Sequence, residues 1–198
     1  MLLSPLRTQH SPFRTPNSAL SILLSVAISF FSFASHKKST RVVFFGDSIT
    51  EFGVQADGYI AQMRDSLDAR KMTHQYELIG AGIGGNKIYD LYLRMESDVL
   101  ERKPKVVVIY VGVNDVWHKL TFGTGTDADK FKKFYAAIIA KLKKEDIKVI
   151  LCTPACVGEK KGGVNPLDVE LDIYSQIIRD LAREKDCLLS DFRKAFVE

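Results

Sequence analysis

Three short stretches of the sequence combine hydroxyl, glycine and amide residues in a way that suits acyl transfer. The first is Gly46-Asp47-Ser48-Ile49-Thr50, a glycine turn followed by a hydroxyl residue. The second, residues 80–86, has four glycines among its first six positions, which lets backbone N–H groups approach a ligand closely. The third is Gly112-Val113-Asn114-Asp115, which offers a side-chain amide. Together they supply what a nucleophile and an oxyanion hole require.

Each stretch also has an alternative interpretation. Asp47 or Ser48 could cap a helix, and Asn114 could form an Asx-turn. The glycine loop could bind a dinucleotide, but a G-x-G-x-x-G pattern would place its last glycine at position 87, which is Lys87. No acidic residue ends a following strand, so nucleotide binding is the weaker interpretation. The catalytic hypothesis depends on all three stretches meeting at one place.

Short apolar runs rich in β-branched and aromatic residues predict the elements that must position these stretches. The predicted strands are 41–45, 76–79, 105–111, 148–152 and 187–189. Segments with helical spacing separate them, near 58–71, 88–102, 128–145 and 167–185. This alternation predicts a parallel five-stranded sheet with helices on both faces. Ligands bind beyond the carboxyl ends of strands in such sheets, and the three stretches begin there.

In this order and at these spacings, the three stretches resemble the first three sequence blocks of the SGNH (GDSL) hydrolases. The resemblance runs from about Val42 to the end of the chain, and residues 90–95 and 114–118 also look like bacterial members. It implies a flavodoxin-like, three-layer α/β/α fold. It also implies hydrolysis of esters or thioesters, with a small-molecule acyl ester as substrate: a lysophospholipid or other lipid, an acyl thioester, or an acetylated carbohydrate.

The resemblance assigns roles to individual residues. Ser48 would be the nucleophile, and Gly85 and Asn114 would form the oxyanion hole together with the backbone N–H of Ser48. Asp47, before the serine, and Asp115, after the amide, are expected to support the site. The family implies neither a metal nor an organic cofactor.

The sequence departs from the family pattern near its C-terminus. SGNH hydrolases take their general base from an Asp-x-x-His block after the fifth strand, and no such block follows residues 187–189. The last helix and the catalytic loop are therefore expected to be missing from a chain that ends at Glu198. A serine without a base is a poor nucleophile, so we expect this polypeptide to have little or no esterase activity. A non-catalytic module that binds acyl or carbohydrate ligands in the same crevice is the alternative.

The histidines offer no obvious replacement for that base. They are His10, His36, His74 and His118. The first two precede the predicted fold, and the third lies beside the second strand at the wrong end of the sheet. Only His118 could lie near the crevice, where packing beside Trp117 is its expected role, because proximity alone does not make a base.

The first 40 residues differ in composition from the rest of the chain. They contain four basic residues and no acidic ones, and residues 18–34 are apolar and uncharged. This pattern predicts a signal peptide or membrane anchor, with an organellar transit peptide or a disordered or wrongly translated stretch as alternatives. We therefore expect export or membrane anchoring, membrane association through residues 1–40, and a hydrolase domain over residues 41–198.

Composition and charge exclude several other classes. The length of 198 residues, with 46% hydrophobic and 26% charged residues, fits one globular domain. The net charge of +4 comes largely from the N-terminal stretch, so nucleic acid is not an implied partner. Three cysteines, Cys152, Cys156 and Cys187, are too few for a disulfide framework, and no second pair completes a zinc site.

Overall fold

The computed structural model describes residues 39–158 and 165–197, so most of the predicted N-terminal segment lies outside the described residues. The strands are β1 (Thr40–Gly46), β2 (Tyr76–Gly82), β3 (Val106–Tyr110), β4 (Lys148–Cys152) and β5 (Leu188–Ser190). The α-helices in these ranges are α1 (Ser48–Phe52), α2 (Tyr59–Ala69), α3 (Ile88–Asp98), α4 (Val113–Thr121), α5 (Ala128–Lys144), α6 (Asp168–Glu184) and α7 (Phe192–Val197). The five strands form one parallel sheet in the order β2-β1-β3-β4-β5. The predicted flavodoxin-like α/β fold is confirmed.

The register of the central strands aligns the loops that carry the predicted site. β1 pairs with β2 on one side and with β3 on the other, and Gly46 lies opposite both Gly82 and Tyr110. All three strands therefore reach their carboxyl ends at the same level of the sheet. The chain leaves each strand next to the other two, which brings three distant sequence stretches to one edge.

One face of the sheet carries most of the hydrophobic core. Val43 and Phe45 of β1 alternate with residues that point to the other face, and Val107 and Ile109 of β3 do the same. These side chains pack against α3, α5 and α6, whose buried residues include Leu91, Met95, Ile138, Ile139, Ile178 and Leu181. Burying each such side chain contributes roughly 1.5–3 kcal/mol, so this layer holds the sheet against three helices.

The opposite face is covered less completely by the described residues. Met63 and Leu67 of α2 line, together with Val42 and Val108 of the sheet, a cavity of about 420 Å³. Met63 remains 45% exposed although its spacing on the helix predicts a residue packed on the sheet. Nearer the carboxyl ends of the strands, the ring of Tyr59 packs edge-on against the rings of Phe44 and Tyr110.

Two helices were not predicted from the sequence. Residues 113–121, for which the sequence predicts only a loop, form α4, and residues 192–197 form the short α7. The helix α4 starts directly after β3 because Gly112 adopts φ +135°, a conformation that side chains disfavour. Asn114 therefore lies in the first turn of a helix and its position is fixed by that helix.

Candidate active site

The turn after β1 presents Ser48 at the start of α1, where its side chain is partly exposed. Asp47 is buried, and its carboxylate accepts a hydrogen bond from the backbone N–H of Ile49 at 3.0 Å. Gly46 permits the sharp turn because a Cβ at this position would lie 2.3 Å from the carbonyl oxygen of Tyr110. The turn thus holds the serine beyond the strand end, as the sequence predicted.

The glycine loop after β2 lies directly against α1. A Cβ on Gly82 would stand 2.1 Å from the backbone nitrogen of Glu51, so only glycine allows this approach. A Cβ on Gly84 would lie 3.9 Å from the Cβ of Ser48. Gly85 has φ +74°, which favours glycine and turns the loop back towards α3. The structure therefore brings the glycine loop beside the predicted nucleophile.

The first turn of α4 is bonded to the same glycine loop. Asn114 is 3% exposed, and its Nδ2 donates to the carbonyl oxygen of Asn86 at 3.1 Å. Asp115 is fully buried and accepts from the backbone N–H of Ile88 at 3.1 and 3.3 Å. Asn86 and Ile88 both follow Gly85 closely in the chain. The two side chains thus fix the third stretch to the second, and the three stretches form one cluster.

Arg94 of α3, to which the sequence analysis gave no role, connects the strand ends beneath this cluster. Its Nη2 donates to the carbonyl oxygens of Gly46 and Ala81 at 2.8 and 3.1 Å. Its Nε donates to Asn86 Oδ1 and its Nη1 to Asp98 Oδ2, each at 2.7 Å. One guanidinium therefore joins the ends of β1 and β2 to the glycine loop. Only the Asp98 contact, four residues along α3, could have been expected from spacing in the sequence.

His118 lies beside the glycine loop but does not contact the serine hydroxyl through a hydrogen bond. A Cβ on Gly85 would stand 3.7 Å from His118 Cε1. Asp115 and His118 have the Asp-x-x-His spacing within α4, yet the Asp115 carboxylate is directed to Ile88 N. Burial and the charge of Lys87 lower the pKa of His118, which favours the neutral form of the imidazole. Its position fits the wall of the crevice.

The second histidine within the described residues is far from these loops in the sheet. His74 lies in the 3₁₀ turn Thr73–Gln75, which enters β2 at its amino end, as the sequence predicted. No histidine of residues 39–158 and 165–197 forms a hydrogen bond with Ser48. A general base for this serine is thus not among its contacts in the part of the chain that the structure describes.

Comparison with known proteins identifies the class to which this arrangement belongs. The model of the GDSL-like Lipase/Acylhydrolase family matches residues 44–198, which include all three loops. The chain belongs to this family. The predicted SGNH (GDSL) membership is therefore confirmed, and so is the prediction of an enzyme: the protein is a hydrolase of the esterase type.

Two acetylxylan esterases are among the relatives of this GDSL-like protein. It is 30% identical over 173 residues to the acetylxylan esterase of Geobacillus stearothermophilus, across 80% of this chain and 78% of that one. The crystal structure of the acetyl xylan esterase AlAXEase is 62% identical, with a TM-score of 0.78 and coverage of 79% of each chain. The uncharacterized lipoprotein YqeF of Bacillus subtilis (strain 168) is 30% identical over 141 residues, 62% of this chain and 57% of that one.

Two buried carboxyl groups lie in the first and third loops of this GDSL-like protein. Burial raises the pKa of Asp47 to about 6, against the hydrogen bond from Ile49, which lowers it. Burial likewise raises the pKa of Asp115 to about 7, although Ile88 N–H and the charge of Lys87 stabilise its ionised form. Both carboxyl groups accept backbone hydrogen bonds, but burial removes water from their ionised forms and makes ionisation less favourable. Their hydrogen bonds fix the loops, and their raised pKa values predict that stability depends on pH.

The Asp115→Asn substitution tests this pH sensitivity. A carboxyl group whose pKa is higher in the folded than in the unfolded state binds protons more tightly when folded, so its contribution to stability falls as pH rises from about 4 to about 7. Asparagine keeps an acceptor for Ile88 N–H but does not ionise. We expect urea unfolding to show that, as the pH rises from 4 to 8, the substituted protein becomes more stable than the native chain by up to a few kcal/mol. Parallel pH profiles for the two proteins would contradict this.

The largest cavity described for this GDSL-like domain lies away from the cluster of three loops. A cavity of about 800 Å³ opens at the amino ends of the strands and is lined by Thr40, Lys105 and Lys148 among others, far from the three loops. Among residues 39–158 and 165–197, no three His, Cys, Asp or Glu side chains are grouped to hold a metal ion. Within the same ranges, no helix has the length and apolar character needed to cross a membrane.

Proposed function

We propose that Ser48 is the nucleophile of this esterase and that its backbone N–H, the N–H of Gly85 and Asn114 Nδ2 form the oxyanion hole. The observation that carries the proposal is the bonding of three strand-end loops into one cluster. Gly84 packs beside Ser48, and Asn114 Nδ2 donates to Asn86 O at 3.1 Å. An amide nitrogen has two N–H groups, so one fixes the side chain and the other can bind the oxyanion.

The proposed reaction follows from these groups. Ser48 Oγ attacks the acyl carbonyl carbon, and the negative charge that develops on the carbonyl oxygen is stabilised by the three donors. The ester C–O bond then breaks, and the alcohol leaves with the proton taken from Ser48. Water hydrolyses the acyl-serine to the free acid and restores the serine hydroxyl. Fixed donors help because they need no reorganisation as the charge develops. Attack also requires a group that accepts the serine proton, and the family supplies it from an Asp-x-x-His block that residues 1–198 lack after β5.

Acetyl esters of carbohydrates are the proposed substrate class. Two relatives are named as acetylxylan esterases, and one of them is 62% identical to this chain. The partly exposed serine at an open sheet edge supports a bulky alcohol group such as a sugar chain. Lipid esters are the alternative substrate class. Export or membrane anchoring is proposed as well, supported by the apolar N-terminal run and by a relative named as a lipoprotein.

A second candidate function is binding without catalysis. It is favoured by one observation, that Ser48 has no histidine partner among the described residues. In that case the same crevice would bind an acylated carbohydrate and release it unchanged. The two candidates differ in whether Ser48 can form a covalent bond.

Covalent labelling tests the proposal. Prolonged incubation with phenylmethanesulfonyl fluoride and added imidazole, which stands in for the base that the contacts of Ser48 lack, is expected to add one sulfonyl group, and peptide mass spectrometry should place it on Ser48. Ser48→Ala should lose the adduct, whereas Ser66→Ala, which removes an exposed serine of α2, should retain it. An adduct on another residue, or no difference between the two variants, would reject Ser48 as the nucleophile and leave binding as the function.

A further inference from the structure

A cluster of exposed rings lies next to the proposed oxyanion loop. The side chains of Trp117 and Phe122 are 41% and 65% exposed. Both rings pack against His118, with centroids 5.5 and 4.9 Å from that of the imidazole. His118 Cε1 in turn lies 3.7 Å from where a Cβ of Gly85 would stand. The three residues form a continuous surface, here called the aromatic platform, that starts at Gly85.

Polar groups border the platform on the side of the glycine loop. Tyr89 donates its hydroxyl hydrogen to the carbonyl oxygen of Thr124 at 3.2 Å, which ties the start of α3 to the turn after α4. Thr124 is exposed and Tyr89 is partly exposed. The Thr124 hydroxyl can donate and accept hydrogen bonds, and the Tyr89 oxygen can still accept one. Exposed ring faces with polar groups at their border suit a ligand that is itself both apolar and rich in hydroxyls.

We propose that the aromatic platform binds the sugar rings on the alcohol side of an acylated carbohydrate. This proposal rests on the proposed function and adds a binding surface to it. A pyranose ring presents C–H groups on its faces and hydroxyls around its edge. The C–H face packs on the electron-rich face of Trp117 or Phe122, and the hydroxyls meet the bordering polar groups. A sugar held there would place the ester oxygen near Gly85.

The shape of the platform favours a carbohydrate over the hydrocarbon chain of a lipid. An acyl chain is stabilised by being removed from water on all sides, as in an enclosed groove. Trp117 and Phe122 instead leave much of their surface open to solvent. A sugar needs one apolar face and keeps its hydroxyls hydrated. An open platform therefore supplies the contacts of a sugar and lacks the enclosure that a lipid chain requires.

The platform contains the single tryptophan of the sequence, which provides a direct readout. We expect xylotriose to change the fluorescence of Trp117 saturably. Phe122→Leu keeps an apolar side chain but removes one ring face, so its Kd for xylotriose should rise roughly three- to tenfold. Phe196→Leu is the matched control, because Phe196 is 66% exposed and lies in α7. Its Kd should equal that of the native chain, and circular dichroism should show that both variants are folded.

Several outcomes would overturn the platform. These are no saturable response to xylotriose, an unchanged Kd in Phe122→Leu, or equal weakening in Phe196→Leu. A saturable response to lysophosphatidylcholine in place of xylotriose would assign the rings to a lipid and reject the sugar. Failure of the platform and failure of the catalytic proposal are distinguishable. Xylotriose binding without labelling of Ser48 rejects catalysis alone, and labelling without xylotriose binding rejects the platform alone.

Discussion

The polypeptide of 198 residues is expected to hydrolyse p-nitrophenyl acetate at least about four orders of magnitude more slowly than a GDSL-like esterase with a complete Ser-His-Asp triad. The reason is chemical, because a serine hydroxyl stays protonated near pH 7 and attacks slowly without a base. No histidine of the described residues is hydrogen-bonded to Ser48. The proposed oxyanion donors do not depend on a base, so we expect the deficit to lie in proton transfer.

Added imidazole tests whether proton transfer is the missing step. If the site is otherwise complete, imidazole should diffuse to Ser48 and raise the initial rate with increasing concentration. Imidazole also hydrolyses the ester directly, so the rate of Ser48→Ala at each concentration must be subtracted. A remaining Ser48-dependent rate supports a site that lacks only a base. Equal rates for the two proteins at every concentration would contradict it.

Fast turnover without imidazole would contradict the expected inactivity itself. If that turnover is lost in Ser48→Ala, a base is present that neither the sequence nor the contacts of Ser48 indicate. His118 is then the first residue to substitute, because it lies beside Gly85 and has its pKa lowered towards the neutral form. Loss of the rate in His118→Ala as well would make His118 that base. The pH dependence of kcat/KM would report its pKa in the free enzyme.

The parts of the fold that were predictable are those with a local signal. The runs that form β1 and β3 are continuous and β-branched, and such runs are typical of strands buried on both faces. The loops that follow them were predicted to meet because parallel strands align their carboxyl ends. The structure agrees with this expectation, because Gly46 at the end of β1 pairs with Gly82 at the end of β2 and Tyr110 at the end of β3.

The parts that could not be predicted depend on contacts between distant residues. The helix α4 begins immediately after β3 because Gly112 adopts φ +135°, and residue types alone do not distinguish this from an ordinary loop. Asp115 has no neighbour in the sequence that indicates burial, yet it accepts the N–H of Ile88, which is 27 residues away. The raised pKa of Asp115 follows from that burial. The sequence predicted that Asp115 supports the site, but it did not indicate the burial or the hydrogen bond to Ile88 by which it would do so.

Arg94 is the strongest example of such a distant constraint. Its contacts with Gly46 and Asn86 cross 48 and 8 positions of sequence, and helical periodicity only indicates the side on which it lies. Its guanidinium also stacks on the ring of Phe45, with 4.6 Å between Cζ and the ring centroid. The side chain is 14% exposed. A planar group with five N–H donors can bond several acceptors at once, which a lysine ammonium cannot do with the same geometry.

Arg94→Met is therefore expected to lower the free energy of unfolding by about 2–4 kcal/mol, because it leaves the Gly46 and Ala81 carbonyls without these donors and Asp98 without its partner. Arg94→Lys should recover only part of the loss. Urea unfolding followed by circular dichroism measures both effects.

Arg64→Met is the matched control for this measurement. Arg64 is an exposed arginine of α2 with one hydrogen bond, from Nη2 to the carbonyl oxygen of Leu78 at 2.9 Å, so its loss should cost about 1 kcal/mol or less.

If Arg94 also positions the reactive loops, Arg94→Lys should slow the labelling of Ser48 by phenylmethanesulfonyl fluoride under conditions where all variants are folded. Arg64→Met should label at the native rate. Equal stability losses in Arg94→Met and Arg64→Met would reject the structural role of Arg94, and an unchanged labelling rate in Arg94→Lys would reject its effect on the nucleophile.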